Sequence, residues 1–511
     1  MIISYLQVFY LKIINISLKG FFYIALTIFI TVSSNLIANN DPSKPIKPPH
    51  YRGLCVLNDS CAWFSGSRGT VIHTTDGGKH FDTISPRSTN TRFTYFLPYG
   101  KQTVESYTQT YDASFSLLRK DYRDIWAKNE KEAVIMSAGD SALILKTMDG
   151  GKNWTIVYTD FRKDIFLDAL EIDSKTGIGM VLGDPIIPEP IIVEASGSAE
   201  NSSAFSSMTS SRSKSSRNKK SRQNTKSQDP NNTRKHFAAL YTTDFGSSWN
   251  NLPIGDWNLP LDSLESFFAA SGTSLVIIES KVEAADSDSN YLARTKNLTV
   301  GFAGGGINPS YHIVKFKQQK RRTLKQNKRF NLSTSQPRVA ANEIIPMQIA
   351  GGPGSGVYGI CLSDDGRMIA VGGNYTLPDS FNGASAHSTT ANFGLKWSGG
   401  KDPQGNTGGY RSGVCISEAI LNSQLTSQSA EHMRIKKCDR IAICTGTNGS
   451  DISIDNGINW FKIPKKNLSS GLYFEGSFNA CAFSSNYLWM VGNSGKFQRI
   501  PISDLLSMGI K

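Results

Sequence analysis

Four copies of one octapeptide constrain this chain more than any other feature of its sequence. They read TTDGGKHF (74–81), TMDGGKNW (147–154), TTDFGSSW (242–249) and SIDNGINW (453–460), and TANFGLKW (390–397) is a degraded fifth copy. Hydroxyl and carboxylate groups accept backbone hydrogen bonds in turns, and glycine permits a positive φ. A catalytic site needs one constellation rather than four, so the repeat indicates a structural turn. The residues expected to build these turns are Asp76, Gly78, Asp149, Gly151, Trp154, Asp244, Gly246, Trp249, Asn392, Trp397, Asp455, Gly457 and Trp460.

Each octapeptide ends a longer unit with two apolar, strand-like runs joined by a tight turn, as in residues 133–154. Weaker copies bring the number of units to seven. Repeats of about 40–60 residues that read as four strands are typical of β-propellers, because radial packing buries both faces of every sheet. We therefore predict an all-β fold, a seven-bladed β-propeller over residues 51–505. The last unit is short of a strand, and we expect residues 51–57 to supply it and close the ring.

Two basic segments interrupt the repeat. Residues 212–235 and 315–338 carry a net +17 against +13 for the whole chain, so the remainder is mildly acidic and does not indicate a nucleic-acid-binding fold. Residues 196–235 are almost free of apolar side chains and are predicted to be disordered. Residues 317–338 form a second basic insert where an octapeptide is missing. Both inserts are interpreted as solvated tethers, with contact to a glycan, an anionic surface or polymer as the alternative.

The N-terminal segment predicts export. Lys12 and Lys19 precede an apolar run that begins at Phe21, so residues 1–38 are expected to be a signal peptide, with a membrane anchor as the alternative. Residues 39–50 follow as a proline-rich linker.

The seven cysteines include no CxxC pair and lie mostly in apolar runs, which favours small buried thiols over zinc ligands or disulfides. No catalytic metal and no cofactor are expected.

The octapeptides resemble the Asp-boxes, or BNR repeats, of sialidases, sortilins and the photosystem II assembly/stability factor-like propellers. Three further stretches resemble the non-photosynthetic bacterial branch of that last group: DYRDIWA (121–127), FLDALEIDSKTGIGMVLGDP (166–185) and the pair PGSGVYGICLSDDGRMIAVGGNY (353–375) and GGYRSGVC (408–415). The similarity extends from about residue 55 to residue 501. It implies an exported propeller that acts as a protein-interaction or assembly scaffold, with unknown protein partners and no established chemistry.

A sialidase-type glycosidase is the alternative that Asp-boxes suggest. Such an enzyme needs three arginines that bind a carboxylate, a tyrosine nucleophile with a glutamate partner, and an aspartate acid/base. It also carries an F/Y-R-I-P motif before its first Asp-box, whereas FKIP (461–464) and FQRIP (497–501) lie at the other end of this chain. We therefore expect a non-enzymatic protein, and keep a glycan-binding or hydrolase-like protein as the alternative.

The segments that lead into the innermost strands are the expected position of a functional site. In a propeller these segments surround the central channel, away from the octapeptide turns. Charges of both signs occur there, which suits a polar binding surface. Internal ion pairs that brace the blades are the alternative interpretation. The candidates are Arg123, Asp124, Asp168, Asp184, Ser271 and Arg411.

Overall fold

The computed structural model describes residues 48–86, 117, 119–139, 141–160, 165–186, 236–252, 265–268, 270–283, 295–324, 330–399, 406–417, 440–468, 470–471 and 473–507. The chain divides into two units, residues 1–48 and residues 49–511, and the structure describes only residue 48 of the first. The predicted leader over residues 1–38 and most of the predicted linker over residues 39–50 lie outside the described residues, and so does the insert over residues 196–235 that is predicted to be disordered. No described helix is long and apolar enough to cross a membrane.

The described chain of the second unit is almost entirely antiparallel β-structure. Sheet 1 contains β1 (Tyr51–Val56), β2 (Ala62–Gly66), β3 (Val71–Thr74) and β4 (Asp82–Thr83). Sheet 2 contains β5 (Asp121–Ala127), β6 (Ala133–Ala138), β7 (Ala142–Thr147) and β8 (Thr155–Asp160). Sheet 3 contains β9 (Leu167–Ile172), β10 (Gly179–Ile186), β11 (His236–Thr242) and β12 (Asn250–Asn251).

Sheets 4 and 5 are interleaved in the sequence. Sheet 4 contains β13 (Leu275–Glu283), β14 (Thr295–Ala303), β16 (Ser310–Leu324) and β17 (Phe330–Pro346). Sheet 5 contains β15 (Gly305–Gly306), β18 (Gly352–Leu362), β19 (Met368–Asn374), β20 (Ser385–Ser388) and β21 (Trp397–Gly399). The predicted basic insert at 317–338 lies largely in the long β16–β17 hairpin, whose strand pairing continues to Leu324 opposite Phe330. The interpretation of this insert as a loose tether is therefore corrected.

The remaining elements complete the series. Sheet 6 contains β22 (Gly413–Ile416), β23 (Ala442–Gly446), β24 (Gly449–Ser453) and β25 (Phe461–Lys462). A two-stranded ribbon follows, with β26 (Lys466–Asn467) and β27 (Tyr473–Phe474). Sheet 7 contains β28 (Ala480–Phe483), β29 (Tyr487–Val491) and β30 (Phe497–Pro501), with a 3₁₀ turn at Asn493–Gly495 and α1 (Ile502–Ser507) after β30.

The sheets are arranged in a closed cycle. The first long strands β1, β5, β9, β13, β18, β22 and β28 each contact the next, and β28 contacts β1. The hydrophobic core lies between neighbouring sheets, as where Phe64 of sheet 1 packs against Trp489 of sheet 7. This arrangement of small antiparallel sheets around an axis is a β-propeller. Because segments such as 418–439 lie outside the described part, the number of seven blades stays a prediction.

The expected closing strand is wrong. Residues 51–56 do not extend sheet 7 but pair with β2 and complete sheet 1. Sheet 7 keeps three described strands, and contacts between sheets 1 and 7 close the cycle. The Nδ2 of Asn479 donates to the carbonyl oxygen of Tyr51 at 2.8 Å, and Asn486 donates to both carboxylate oxygens of Asp59.

Candidate functional site

The octapeptides form the turns between the third and fourth strands of their sheets. In sheet 2, Thr147 Oγ1 donates to Asp149 Oδ1 at 3.0 Å and accepts the backbone N–H of Gly151 at 2.9 Å. The carboxylate of Asp149 also accepts the backbone and side-chain N–H groups of Asn153, which lower its pKa. Equivalent bonds form around three further aspartates, Asp76, Asp244 and Asp455.

The glycine at the fifth position of each octapeptide packs against the preceding sheet. A Cβ on Gly151 would lie 2.6 Å from Ile84 Cδ1, and φ is +83° there. Gly78, Gly246 and Gly457 contact their preceding sheets in the same way. The aromatic residue fills the space beside the turn: Trp154 is half-buried and donates to the Ile84 carbonyl, while three others are buried, Trp249, Trp397 and Trp460.

The degraded copy lacks part of this network. The Oδ1 atom of Asn392 is buried and accepts no hydrogen bond from any described residue. Gly394 still packs against Tyr311 of the preceding sheet and Trp397 stays buried. The packing of the turn is therefore retained where the aspartate is lost.

The first strands begin at the opposite end of the sheets, because strands alternate in direction. Several carry a β-bulge at the same place, and a bulge turns one side chain out of the regular alternation. The bulged residues are Arg52 in β1, Arg123 in β5, Asp168 in β9 and Tyr358 in β18. We call this end of the propeller the mouth.

Two arginines occupy equivalent β-bulges of the neighbouring strands β1 and β5 at the mouth. Arg123 Nε donates to Asp121 Oδ2 at 2.7 Å, and both side chains are partly exposed. Burial lowers the pKa of Arg52, and the positive charge of Arg123 lowers it further, while Asp121 opposes the effect. The Nε atom of Arg52 is buried without a hydrogen-bond partner among the described residues. Asp121 offsets one of the two positive charges, so the pair keeps a net positive charge that favours a further anionic group.

Aromatic rings lie beside these arginines. Tyr358 stacks on Phe268 with ring centroids 4.0 Å apart, and its ring meets Tyr410 edge-on at 4.7 Å. Burial raises the pKa of the Tyr410 hydroxyl, and the charges of Arg52 and Arg123 lower it. Tyr358 and Tyr410 are only 4% and 6% exposed, so this aromatic cluster with Phe268, which we call the aromatic wall, supports the mouth from inside the protein.

Arg411 differs from the other two arginines. Its side chain is 0% exposed and forms an ion pair with Asp451, with Nε 2.6 Å from Oδ2. Its Nη1 donates to the carbonyl oxygen of Tyr410 at 2.8 Å and to Asn448 Oδ1 at 2.5 Å. The expectation that Arg411 offers a ligand contact is corrected: it braces sheet 6.

Asp124 and Asp168 are also inside the protein. The carboxylate of Asp124 accepts the N–H of Ile125 at 2.8 Å and that of Leu170 at 2.7 Å, so it joins β5 to β9. Burial raises its pKa to about 7, and these hydrogen bonds oppose that rise. Asp168 is fully buried. Both carboxyl groups lie below the surface that a ligand meets, which favours the bracing interpretation at these positions.

Ser271 belongs to a loop before β13 that contacts sheets 2 and 6, which are not neighbours in the cycle. Its Oγ donates to the carbonyl oxygen of Ser412 at 2.7 Å and contacts Thr273 Oγ1 at 2.8 Å. A Cβ on Gly272 would lie 2.2 Å from the carboxylate of Asp124. The loop thus contacts the first strands of sheets 2 and 6, and this packing requires glycine at position 272.

Asp184 positions the aromatic wall. Burial raises its pKa, and the backbone N–H of Phe267, which donates to Oδ1 at 2.8 Å, lowers it. This bond fixes the segment that carries Phe268 against Tyr358. Asp184 therefore acts through another residue rather than on a ligand.

The candidates from sequence thus separate into one mouth residue, Arg123, and five internal or positioning residues. Arg52, Tyr358 and Tyr410 were missed. A signal for Arg52 was present, since Tyr-Arg followed by a small or acidic residue occurs at 51–53, 122–124 and 410–412. In the described residues no three His, Cys, Asp or Glu side chains converge as metal ligands, and the six described cysteines are unpaired.

Comparison with known proteins is limited to architecture. No protein-family model and no curated relative matches the chain. Among solved structures, one of YCF48 bound to D1 peptide is 11% identical with a TM-score of 0.39, covering 89% of this chain and 94% of that one. YCF48 from Cyanidioschyzon merolae is 12% identical with a TM-score of 0.40, covering 90% of this chain and 98% of that one.

A GH74 xyloglucanase from Xanthomonas campestris is 10% identical with a TM-score of 0.45, covering 90% of this chain and 53% of the enzyme. At such identities and TM-scores these likenesses do not indicate a partner, a substrate or a reaction. The function of this chain has to be argued from its own residues.

Proposed function

We propose that this protein is a non-enzymatic propeller scaffold that binds a segment of a partner protein at its mouth. The observation that carries the proposal is the placement of Arg52 and Arg123 at equivalent β-bulges of the neighbouring strands β1 and β5, at the mouth. Arginine pairs well with carboxylates, and arginine and tyrosine are enriched at protein interfaces. An acidic side chain of the partner would relieve the repulsion between the two guanidinium groups.

The scaffold role agrees with the branch of Asp-box propellers that the sequence resembles, whose members are exported interaction or assembly proteins. We extend the proposal to export, supported by the apolar run from Phe21 behind Lys12 and Lys19. One solved propeller with low similarity is described as bound to a peptide, which is a property of that protein.

Affinity capture tests the proposal. The full-length chain is expressed in its source organism with Arg52→Glu and Arg123→Glu together, and co-purifying proteins are quantified against the wild type. Lys79→Glu and Lys152→Glu together are the matched control, since both lysines are exposed on octapeptide turns at the other end of the sheets. We expect the mouth variant to lose specific partners and the control to keep them. Equal recovery with both variants would contradict the proposal.

A glycan-binding protein is the alternative, because arginines at the mouth also suit sugar acids. The hydrolase version has a specific obstacle: Arg411 is buried and paired with Asp451, so it is not available to bind a substrate carboxylate. Screening the full chain on an array of sialylated and neutral glycans decides between the two. Saturable binding that Arg52→Glu abolishes would favour the glycan alternative.

A further inference from the structure

One loop at the mouth exposes an unusual amount of apolar surface. It joins β19 to β20, and its side chains include Tyr375 (56% exposed), Leu377 (61%) and Phe381 (45%). We call these three residues the apolar crest. Single exposed hydrophobic residues are ordinary, but three large ones within seven residues form a patch of the kind that marks interaction sites.

The crest loop is held in one shape by its own hydrogen bonds. Leu377 N donates to the carbonyl oxygen of Asn374 at 3.1 Å, and Ser380 N donates to that of Leu377 at 2.9 Å. Asn374 Oδ1 accepts both the N–H and the hydroxyl of Thr376. A loop fixed in this way presents its apolar side chains without a large ordering cost when a partner binds.

The loop is also fixed from below. The carbonyl oxygen of Pro378 accepts the N–H of Tyr410 at 2.8 Å and the Nδ2 group of Asn448 at 2.5 Å. Asn448 in turn accepts Arg411 Nη1. The buried Arg411–Asp451 pair therefore supports the crest indirectly, which gives this ion pair a positioning role at the mouth.

The crest is continuous with the cationic site. A Cβ on Gly354 would lie 2.7 Å from the ring of Tyr375, and the carbonyl oxygen of Gly354 accepts the hydroxyl of Tyr358 at 2.9 Å. Tyr358 packs against Tyr410, whose hydroxyl lies within electrostatic range of Arg52 and Arg123. One ligand lying across the mouth meets apolar surface at one end and positive charge at the other.

We propose that the crest receives an apolar side chain of the same partner segment whose acidic group pairs with Arg52 and Arg123. The inference rests on the proposed function and specifies its partner: an extended protein segment with a large apolar residue close to an acidic one. A second copy of this chain fits poorly, since two mouths facing each other would oppose their arginines.

A displayed library of random linear peptides is the probe. Peptides are selected on the full-length wild-type chain, and the most enriched sequences are synthesised for affinity measurement. The crest variant is Leu377→Ser with Phe381→Ser. The control is Met148→Ser with Ile458→Ser, which removes equally exposed apolar side chains from octapeptide turns. Thermal denaturation confirms that each variant is folded.

We expect enriched peptides that combine an acidic residue with an apolar one. The crest variant should bind them at least about tenfold more weakly, as expected for interface hot spots, and the control should bind them as the wild type does. Peptides that need Arg52 and Arg123 but bind the crest variant with unchanged affinity would overturn the crest inference and leave the proposed function standing. Failure to select any peptide whose binding depends on Arg52 and Arg123 would count against both the crest inference and the proposed function.

Discussion

Two identical Tyr-Arg dipeptides have different roles because they differ by one residue in their position relative to the first strands of sheets 1 and 6. Tyr51-Arg52 and Tyr410-Arg411 look alike in the sequence. In sheet 1, Gly66 packs against the carbonyl oxygen of His50, whereas in sheet 6 the equivalent Gly446 packs against that of Tyr410. Arg411 therefore occupies the position of Tyr51 rather than that of Arg52. Its side chain is directed into the protein, where it meets Asp451.

Removing Arg411 should destabilise the protein strongly. Arg411→Ala leaves the buried carboxylate of Asp451 without its partner, and breaking a buried pair in this way costs about 3–5 kcal/mol. The double variant Arg411→Met with Asp451→Leu removes both charges and should recover much of the loss. Urea denaturation of the three proteins measures the free energies of unfolding. Exposed ion pairs contribute up to about 1 kcal/mol to stability. A loss of unfolding free energy below that value for Arg411→Ala would contradict the bracing role of Arg411.

Two buried carboxyl groups should make stability depend on pH. Burial raises the pKa of Asp124 to about 7 and that of Glu171 to about 8, with the charge of Asp124 adding to the effect on Glu171. The folded state thus holds protons that the unfolded chain releases near pH 4. Stability from these groups is present below that pH and is lost as the pH rises through 7 to 8.

Glu171→Gln tests this dependence, because the amide cannot ionise. We expect the free energy of unfolding of the variant to exceed that of the wild type by roughly 1–2 kcal/mol at pH 8 and to differ little from it at pH 4. Unfolding midpoints in urea at both pH values provide the measurement. If the free energies of unfolding of wild type and variant differ by the same amount at both pH values, ionisation of Glu171 does not cause the pH dependence of stability.

At the scale of elements, the octapeptide turn should contribute both hydrogen bonds and packing. Thr147→Val removes the hydroxyl that bonds to Asp149 and Gly151, and should cost about 1–2 kcal/mol. Gly151→Ala should cost at least as much, because its Cβ meets Ile84 and φ is positive. Met148→Ala, at an exposed position of the same turn, is the control and should be neutral. Thermal unfolding compares the three, and a neutral Thr147→Val would refute the hydrogen-bonding argument.

Much of the fold could be predicted from local chemistry. An octapeptide turn depends on residues within eight positions of one another, so its threonine, aspartate and glycine identify it in the sequence. The closing strand was mistaken because strand pairing is decided between segments, and residues 51–56 pair with β2. The long β16–β17 hairpin was missed for a related reason: its charged composition is that of a tether, whereas its register continues from an ordinary blade hairpin.

The site was less predictable than the fold. Arg123 and Arg52 reach the mouth because of β-bulges, and the sequence does not show which residue of a strand is bulged. The aromatic wall joins Phe268, Tyr358 and Tyr410 from three separate segments. Only the closed cycle of sheets brings those segments together, so the wall is a property of the tertiary structure.

At the scale of the whole molecule, the two ends of the propeller differ in what they offer. The octapeptide end presents repeated turns whose polar groups bond to one another. The mouth presents two arginines and the apolar crest, which the buried aromatic wall supports from inside the protein. Sheets 1 and 7 close the cycle through Asn479 and Tyr51, which fixes Arg52 in relation to the other mouth residues. A rigid ring with one chemically distinct end suits a scaffold that binds at that end.

Site-specific photo-crosslinking in cells of the source organism tests this account most directly. A benzophenone amino acid replaces Tyr375 at the mouth or, separately, Met148 on an octapeptide turn; both side chains are more than half exposed. We expect discrete cross-linked proteins from position 375, their loss when Arg52→Glu is added, and none of these products from position 148. Cross-links to the same proteins from position 148, or products at position 375 that persist with Arg52→Glu, would contradict binding at the mouth.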